Sequence, residues 1–103
     1  MLTETKYKAN DIVTVALITG QELIGKFVSE NEKEIKVKKP LSLIVGPQGA
    51  AFQPFTMTGD SDNEVSVRIT TVVSVLKSRS DVATAYSGAT SGLVVPEQQG
   101  LIL

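Results

Sequence analysis

Cysteine and histidine are both absent from the sequence. Without cysteine there is no disulfide, no thiolate nucleophile and no zinc–thiolate site. Without histidine the commonest general base and the commonest metal ligand are gone. Catalysis would have to rest on carboxylates and lysines alone, and nothing in their spacing suggests it, so no enzyme activity, cofactor or metal is expected. Long apolar runs are also missing, which excludes a helical membrane span. The opening residues, MLTETKYKAND, hold no apolar stretch of signal-peptide length. The expectation is a cytoplasmic protein with no membrane partner. Charge of one sign is lacking too. Ten Lys and Arg stand against eleven Asp and Glu, for a net charge of −1. That balance argues against a strongly basic nucleic-acid binder while leaving room for a local basic patch.

What is present reads as strands. The 103 residues suit one domain, and 42 % apolar with 20 % charged residues is an ordinary globular balance. Val13, Val15 and Leu17 alternate with Thr14, Ala16 and Ile18, predicting a first strand. Leu23, Gly25 and Phe27 share one face of a second. After the charged connection ENEKE, a long third strand places Ile35, Val37, Leu41, Leu43 and Val45 on one face, with Pro40 marking an edge, a bulge or a bend. No residue from Pro40 to Gly59 is charged. This stretch reads as an elaborated connection, an insertion over about 46–63, with an extended piece from Phe52 to Thr58. Val65, Val67 and Ile69 predict a fourth strand and Val72 to Leu76 a fifth. A short helix is expected from about Asp81 to Ser87. SGATSG then reads as a joint before the apolar LVVPEQQGLIL. The domain reading is a barrel over 1–78 and a C-terminal extension over 79–103.

Two glycines five residues apart shape this reading. Gly20 suits a turn, since it adopts positive φ at no steric cost. Gly25 falls mid-strand, where a residue without Cβ permits a sharp bend or a bulge. Five short strands with bends at Gly25 and Pro40 predict an all-β, small, strongly bent barrel, the alternative being a simple bulge in an open sheet.

The run VTVALITGQELIGKFVSENEKEIKV resembles the first motif of the Sm-like (Sm, LSm and Hfq) superfamily. Gly20 and Gly25 fall on its two glycines, and Leu17, Leu23 and Phe27 on its apolar positions. VSVRITTVVSV resembles the second motif, with Arg68 on its arginine and Val72, Val73 and Val75 on its final strand; ITTVV is similar to the matching piece of Hfq. The resemblance spans roughly 11–76, apart from the insertion. It implies a five-stranded Sm-like (SH3-like open) barrel whose fourth strand pairs with the fifth strand of the next copy. The product is a homo-oligomeric ring of five to seven copies binding single-stranded RNA near its pore. Residues 31, 33, 34, 68 and 70 (Asn31, Lys33, Glu34, Arg68 and Thr70) would then form the RNA site. Val65, Val67, Ile69, Val73 and Val75 would form the subunit seam.

Departures from the family pattern bear on the ligand. Asn31 stands where the family places Asp, the loop is one residue short, and Glu34 falls near the family's Asn. Ile69 replaces the glycine after the arginine, and Ser66 and Val67 stand where Hfq has Lys-His. A carboxylate at Glu34 would face phosphates unfavourably, and NEKE offers no aromatic on which a base could stack. These features are more similar to the Sm-like proteins of tailed phages than to Hfq. They also open a second reading, a structural or protein-interaction ring that does not bind RNA.

The remaining motifs each have a plain reading and a functional one. Arg68 suits either a surface ion pair or a pore-side ligand contact. Lys26, Lys33, Lys36, Lys38 and Lys39 suit a solvated strand face as well as a basic stripe. GDSDNE spaces Asp60, Asp62 and Glu64 like the start of a calcium loop but lacks its glycine and distal Glu, so it reads as a polar turn. Phe52, Phe55 and Met57 are expected to cover the barrel or a neighbouring subunit. The fourth and fifth strands, VSVRI and VVSVLK, hold no proline and few charges, so their edges look open to pairing.

Overall fold

The computed structural model describes residues 7–91; the apolar end of the chain lies outside them. Six strands, one 3-10 turn and one helix follow in order: β1 (Ile12–Leu17), β2 (Glu22–Glu30), β3 (Glu34–Gly46), β4 (Gly49–Pro54), β5 (Glu64–Arg68), the turn Ile69–Thr71, β6 (Val72–Lys77) and α1 (Ser80–Thr90). All pairings are antiparallel, in the order β4-β3-β2-β1-β6, with β5 also on β3. The molecule is all-β apart from α1, and its sheet curls into a small open barrel.

The curl follows from β3. Its first half pairs with β5, Glu34 opposite Arg68 through Lys38 opposite Glu64. Its second half pairs with β4, Leu41 opposite Pro54 through Gly46 opposite Gly49. Between the halves, Lys39 takes a left-handed φ of 51°, and the β2–β3 register slips, Ile24 facing Leu41 but Lys26 facing Lys38. One extra residue on β3 makes a bulge, which bends the strand. It also turns the side chains over. Ile35 and Val37 lie in one hydrophobic cluster, while Leu41 and Leu43 pack on another. The expected single face from Ile35 to Val45 is therefore corrected: the bulge reverses the alternation.

The two clusters lie on opposite sides of the sheet. Val13, Val15, Leu17, Leu23, Phe27, Ile35, Val37 and Val67 fill the barrel, and burying a side chain of this size contributes about 1.5–3 kcal/mol. On the outer side, Val82 and Tyr86 of α1 pack with Ile24 and Ala50, flanked by Leu41, Leu43 and Phe52. The Tyr86 hydroxyl donates to the carbonyls of Lys38 (3.0 Å) and Lys39 (2.8 Å). The helix thus ties down the carbonyls that the bulge exposes.

Gly25 sits beside this bend, buried and opposite Val13. An added Cβ would lie 3.2 Å from the Lys38 carbonyl oxygen and 3.2 Å from the Val37 Cβ. The strand-two glycine therefore allows close approach of the bent neighbour. Gly20, at φ +92°, makes the β1–β2 turn.

Three expectations shift. The uncharged stretch from Pro40 to Gly59 is mostly regular sheet: β3 runs on to Gly46, turns over Pro47 and Gln48, and returns as β4, which ends within the extended piece expected from Phe52 to Thr58, while residues 55–63 are bends. Phe55 packs on the barrel core, and Phe52 meets Tyr86 edge to face at 6.2 Å, but Met57 is 98 % exposed. The helix runs to Thr90 rather than Ser87, because Tyr86 is held by the sheet and Thr90 Oγ1 bonds back to the Tyr86 carbonyl at 2.9 Å.

Candidate nucleic-acid interface

The loop between β2 and β3 is built around Asn31. Its side-chain oxygen accepts from the Lys33 amide (2.7 Å) and the Glu34 amide (3.0 Å), while the Asn31 backbone N–H donates to the Glu34 carbonyl (2.9 Å). Asparagine favours this closure because its short side chain mimics a backbone turn. The consequence is chemical: the Asn31 acceptor is committed to its own loop, leaving the amide NH2 as the group free to meet a ligand.

The 3-10 turn docks on this loop. The Ile69 amide donates to the Lys33 carbonyl at 2.9 Å, and Thr71 Oγ1 donates to the Arg68 carbonyl at 2.8 Å. Arg68 stands opposite Glu34 in the β3–β5 register. Asn31, Lys33, Glu34, Arg68 and Thr70 thus gather at one end of the barrel, contributed by two segments distant in sequence. All but the half-buried Glu34 are exposed. Glu34 pairs with Lys36 at 3.8 Å. Among the described residues neither Arg68 nor Lys33 forms an ion pair, so the surface ion pair expected as one reading of Arg68 is not what the structure contains.

The cationic character is local. Lys26 faces Lys38 across β2 and β3, but Lys38 faces Glu64 on its other side, and Lys39 sits at the bend, lining a cavity of about 300 Å³ with Asp62 and Thr90. Glu34 beside Lys36 and Glu64 opposite Lys38 partly offset the lysines of this face, as on a solvated strand surface. The Asp60 side chain closes its own turn by accepting from the Asp62 amide at 3.1 Å. Among the described residues no three Asp or Glu side chains gather as a metal site.

One neighbour of this end was not read from the sequence. Tyr7 donates its hydroxyl to Glu30 Oε1 at 2.6 Å and packs edge-on against Phe27 at 4.8 Å. Burial first, then the hydrogen bond and the negative charge of Glu30, push its phenol up to about 12. Tyr7 lies before the strand pattern begins, so no periodicity pointed to it.

At the seam positions the structure separates the five residues. Val67 is buried in the barrel core. Ile69 and Val75 are half-buried against that core, Val65 is half-buried, and Val73 is 65 % exposed. The β1–β6 register slips at Val73, between the pairs Ala16–Ser74 and Leu17–Val72. That bulge is a form of edge protection that the sequence did not reveal. Among the described residues β5 pairs only with β3 and β6 only with β1, so the barrel is open between them.

Fold and loop cluster together define a small all-β open barrel with an exposed polar end. No protein-family model matches the chain, and no curated protein matches it significantly. Among solved structures it is similar to a chain in the crystal structure of the NatC complex bound to CoA. The two share 13 % identity at a TM-score of 0.49, over 75 % of this chain and 92 % of that one. Among the described residues no helix is long and apolar enough to cross a membrane.

Proposed function

We propose that the chain is an Sm-like protein that assembles as a homo-oligomeric ring and binds single-stranded RNA weakly. The RNA site would be the barrel end where Asn31, Lys33, Arg68 and Thr70 meet. One observation carries the reading. β5 and β6 each keep an unpaired outer edge among the described residues, and the turn joining them docks on the β2–β3 loop through the Ile69 amide and the Lys33 carbonyl. Pairing β5 of one copy with β6 of the next satisfies both edges, and a head-to-tail contact of this kind must close into a ring or grow as a fibre. Each subunit then brings one Lys33 and one Arg68, without ion pairs among the described residues, to the ring. Their role is phosphate contact, since Asn31 has its acceptor committed and no aromatic ring lies in the loop.

A second reading, a ring that assembles without RNA, is favoured by Glu32 and Glu34 beside those cations. Two measurements separate the readings. Light scattering behind a sizing column gives a whole multiple of a ring of about 55 to 77 kDa, five to seven chains of 11.0 kDa; a monomer or a lone dimer overturns the ring. Titration with labelled oligo-U and oligo-A at two salt concentrations gives affinity that falls as salt rises, by about 0.7 in logarithmic slope for each phosphate neutralised. Lys33→Glu and Arg68→Glu each weaken that binding. An intact ring with no binding at low salt replaces the RNA reading with the second one.

A further inference from the structure

The cavity beside Lys39 involves none of the residues of the polar barrel end or the ring seam. It lies between the β3 bulge, the last turn of α1 and the bends that lead into β5. At about 300 Å³ it is as large as the smaller small-molecule sites. Its walls are tied together. Tyr86 of α1 bonds the Lys38 and Lys39 carbonyls, and the Lys39 amide reaches the Asn63 carbonyl at 3.5 Å. The Asp60 carboxylate closes the neighbouring turn by accepting from the Asp62 amide, so the Asp62 carboxylate has no part in that closure. Lys39 and Asp62 both line the cavity, yet among the described residues neither enters an ion pair, with the other or with a third group. Two opposite charges thus border one space without neutralising each other.

The hydroxyls on the wall divide in the same sense. Thr90 Oγ1 donates its proton to the Tyr86 carbonyl at 2.9 Å, so it can only accept from a ligand. It also ends α1, where the last carbonyls carry the negative end of the helix dipole and favour a cation. Ser61 adds a hydroxyl that can donate. Pro40, fully buried, and Leu41, half-buried, supply apolar wall. We propose that the cavity binds a small zwitterion of the free amino-acid class. Asp62, Thr90 and the end of α1 hold its ammonium, Lys39 and Ser61 hold its carboxylate, and a short aliphatic side chain rests on Pro40 and Leu41. A simple anion would leave Asp62 unpaired beside it, and a simple cation would leave Lys39 so; a zwitterion answers both. The site is independent of the ring and of RNA, and stands or falls without them.

The probe is L-valine, titrated to millimolar concentration into the full chain and followed by the amide resonances of Ser61, Asp62 and Thr90. Two derivatives separate the poles: N-acetyl-L-valine lacks the ammonium, and L-valinamide lacks the carboxylate. The expected result is saturable binding of valine, with each derivative weaker by about tenfold or more, the loss of one charged hydrogen-bonded contact. Asp62→Asn and Lys39→Asn each weaken valine by a similar factor. Asparagine keeps the shape of the side chain at 62 and tolerates the left-handed φ at 39. Asp62→Asn also abolishes the preference for valine over N-acetyl-L-valine, and Lys39→Asn the preference for valine over L-valinamide. No shift at these amides overturns the proposal. So does equal binding of valine and either derivative, and so does binding that neither substitution weakens. If a variant fails to fold by circular dichroism, the two derivatives on the wild-type chain decide alone.

Discussion

Replacing Gly25 tests the bend more directly than any other change. The glycine is buried between Val13 of β1 and the bulged part of β3. An alanine Cβ would stand 3.2 Å from the Lys38 oxygen, 3.2 Å from the Val37 Cβ and 3.4 Å from the Pro40 Cα. Two of these atoms are backbone, and the Lys38 carbonyl is held by the Tyr86 hydroxyl, so the wall cannot swing away as a flexible side chain would. Overpacking of this kind costs about 1–3 kcal/mol. Alanine recovers about 0.5–1 kcal/mol by restricting the unfolded chain, leaving Gly25→Ala destabilised by about 1 kcal/mol. Valine adds two methyl groups against the same wall, and its strand preference of at most about 1 kcal/mol does not offset them; Gly25→Val loses about 3 kcal/mol. Urea unfolding measures both, at one fixed protein concentration because assembly contributes to stability. A double-mutant cycle with Tyr86→Phe sharpens the test: freeing the Lys38 carbonyl lets the wall give, so Gly25→Ala costs less in that background, by about 0.5 kcal/mol or more. A Gly25→Val protein unfolding within about 0.5 kcal/mol of the wild type would refute the close approach of the bent strand.

Tyr86→Phe alone removes a buried donor from two carbonyls and lowers stability by about 1–2 kcal/mol, measured by the same urea curves. Burial pushes the Tyr86 phenol up to about 12, and burial with Glu30 does the same for Tyr7. Both native pKa values lie above the ordinary 10.0, so their contribution is fully present below about pH 10 and is lost as pH rises toward 12. Phenolate absorbance and circular dichroism followed together should change over that window, and tyrosines titrating near 10 in the folded protein would contradict it. Lys39→Gly relieves a left-handed φ of 51° and raises stability by up to about 1 kcal/mol, while Lys39→Val lowers it by a similar amount; a reversed order would mean that the bulge conformation is not held at that residue.

The sequence revealed the barrel through β1 and β2, where Val13, Val15, Leu17, Leu23 and Phe27 alternate without interruption. It also showed a break at Pro40. It did not show that the side chains change faces there, because the residue in the left-handed conformation is Lys39, and lysine carries no turn signal. β4 was displaced because an uncharged run without alternation gives no phase; the turn at Pro47 and Gln48 was the available clue. The helix outran its pattern because docking of Tyr86, rather than local preference, sets its length. At the polar end, Asn31 and Arg68 stood out by their resemblance to positions of the Sm-like motifs. The bond that joins their loops, from Ile69 to Lys33, runs between backbone atoms that no side-chain pattern encodes, and Tyr7 reaches Glu30 from outside the pattern altogether.

β3 has one edge for β2 and divides the other between β4 and β5, and this imposes an order on folding. β4 follows β3 after a two-residue turn and zips onto it locally, on the timescale of a hairpin. β5 must cross the bends of residues 55–63 to reach the other half of the same edge, and β6 must travel back to the first strand of the chain. The bulge belongs to the pairing of β3 with β2, which a short loop also joins, so local contacts set its register and the distant strands dock on a bend already made. Closure of the barrel by β6 is the slow step, because its contacts span the longest loop. Substitutions in the β3–β4 hairpin should then act on the folding rate, and those along β6 on the rate of unfolding.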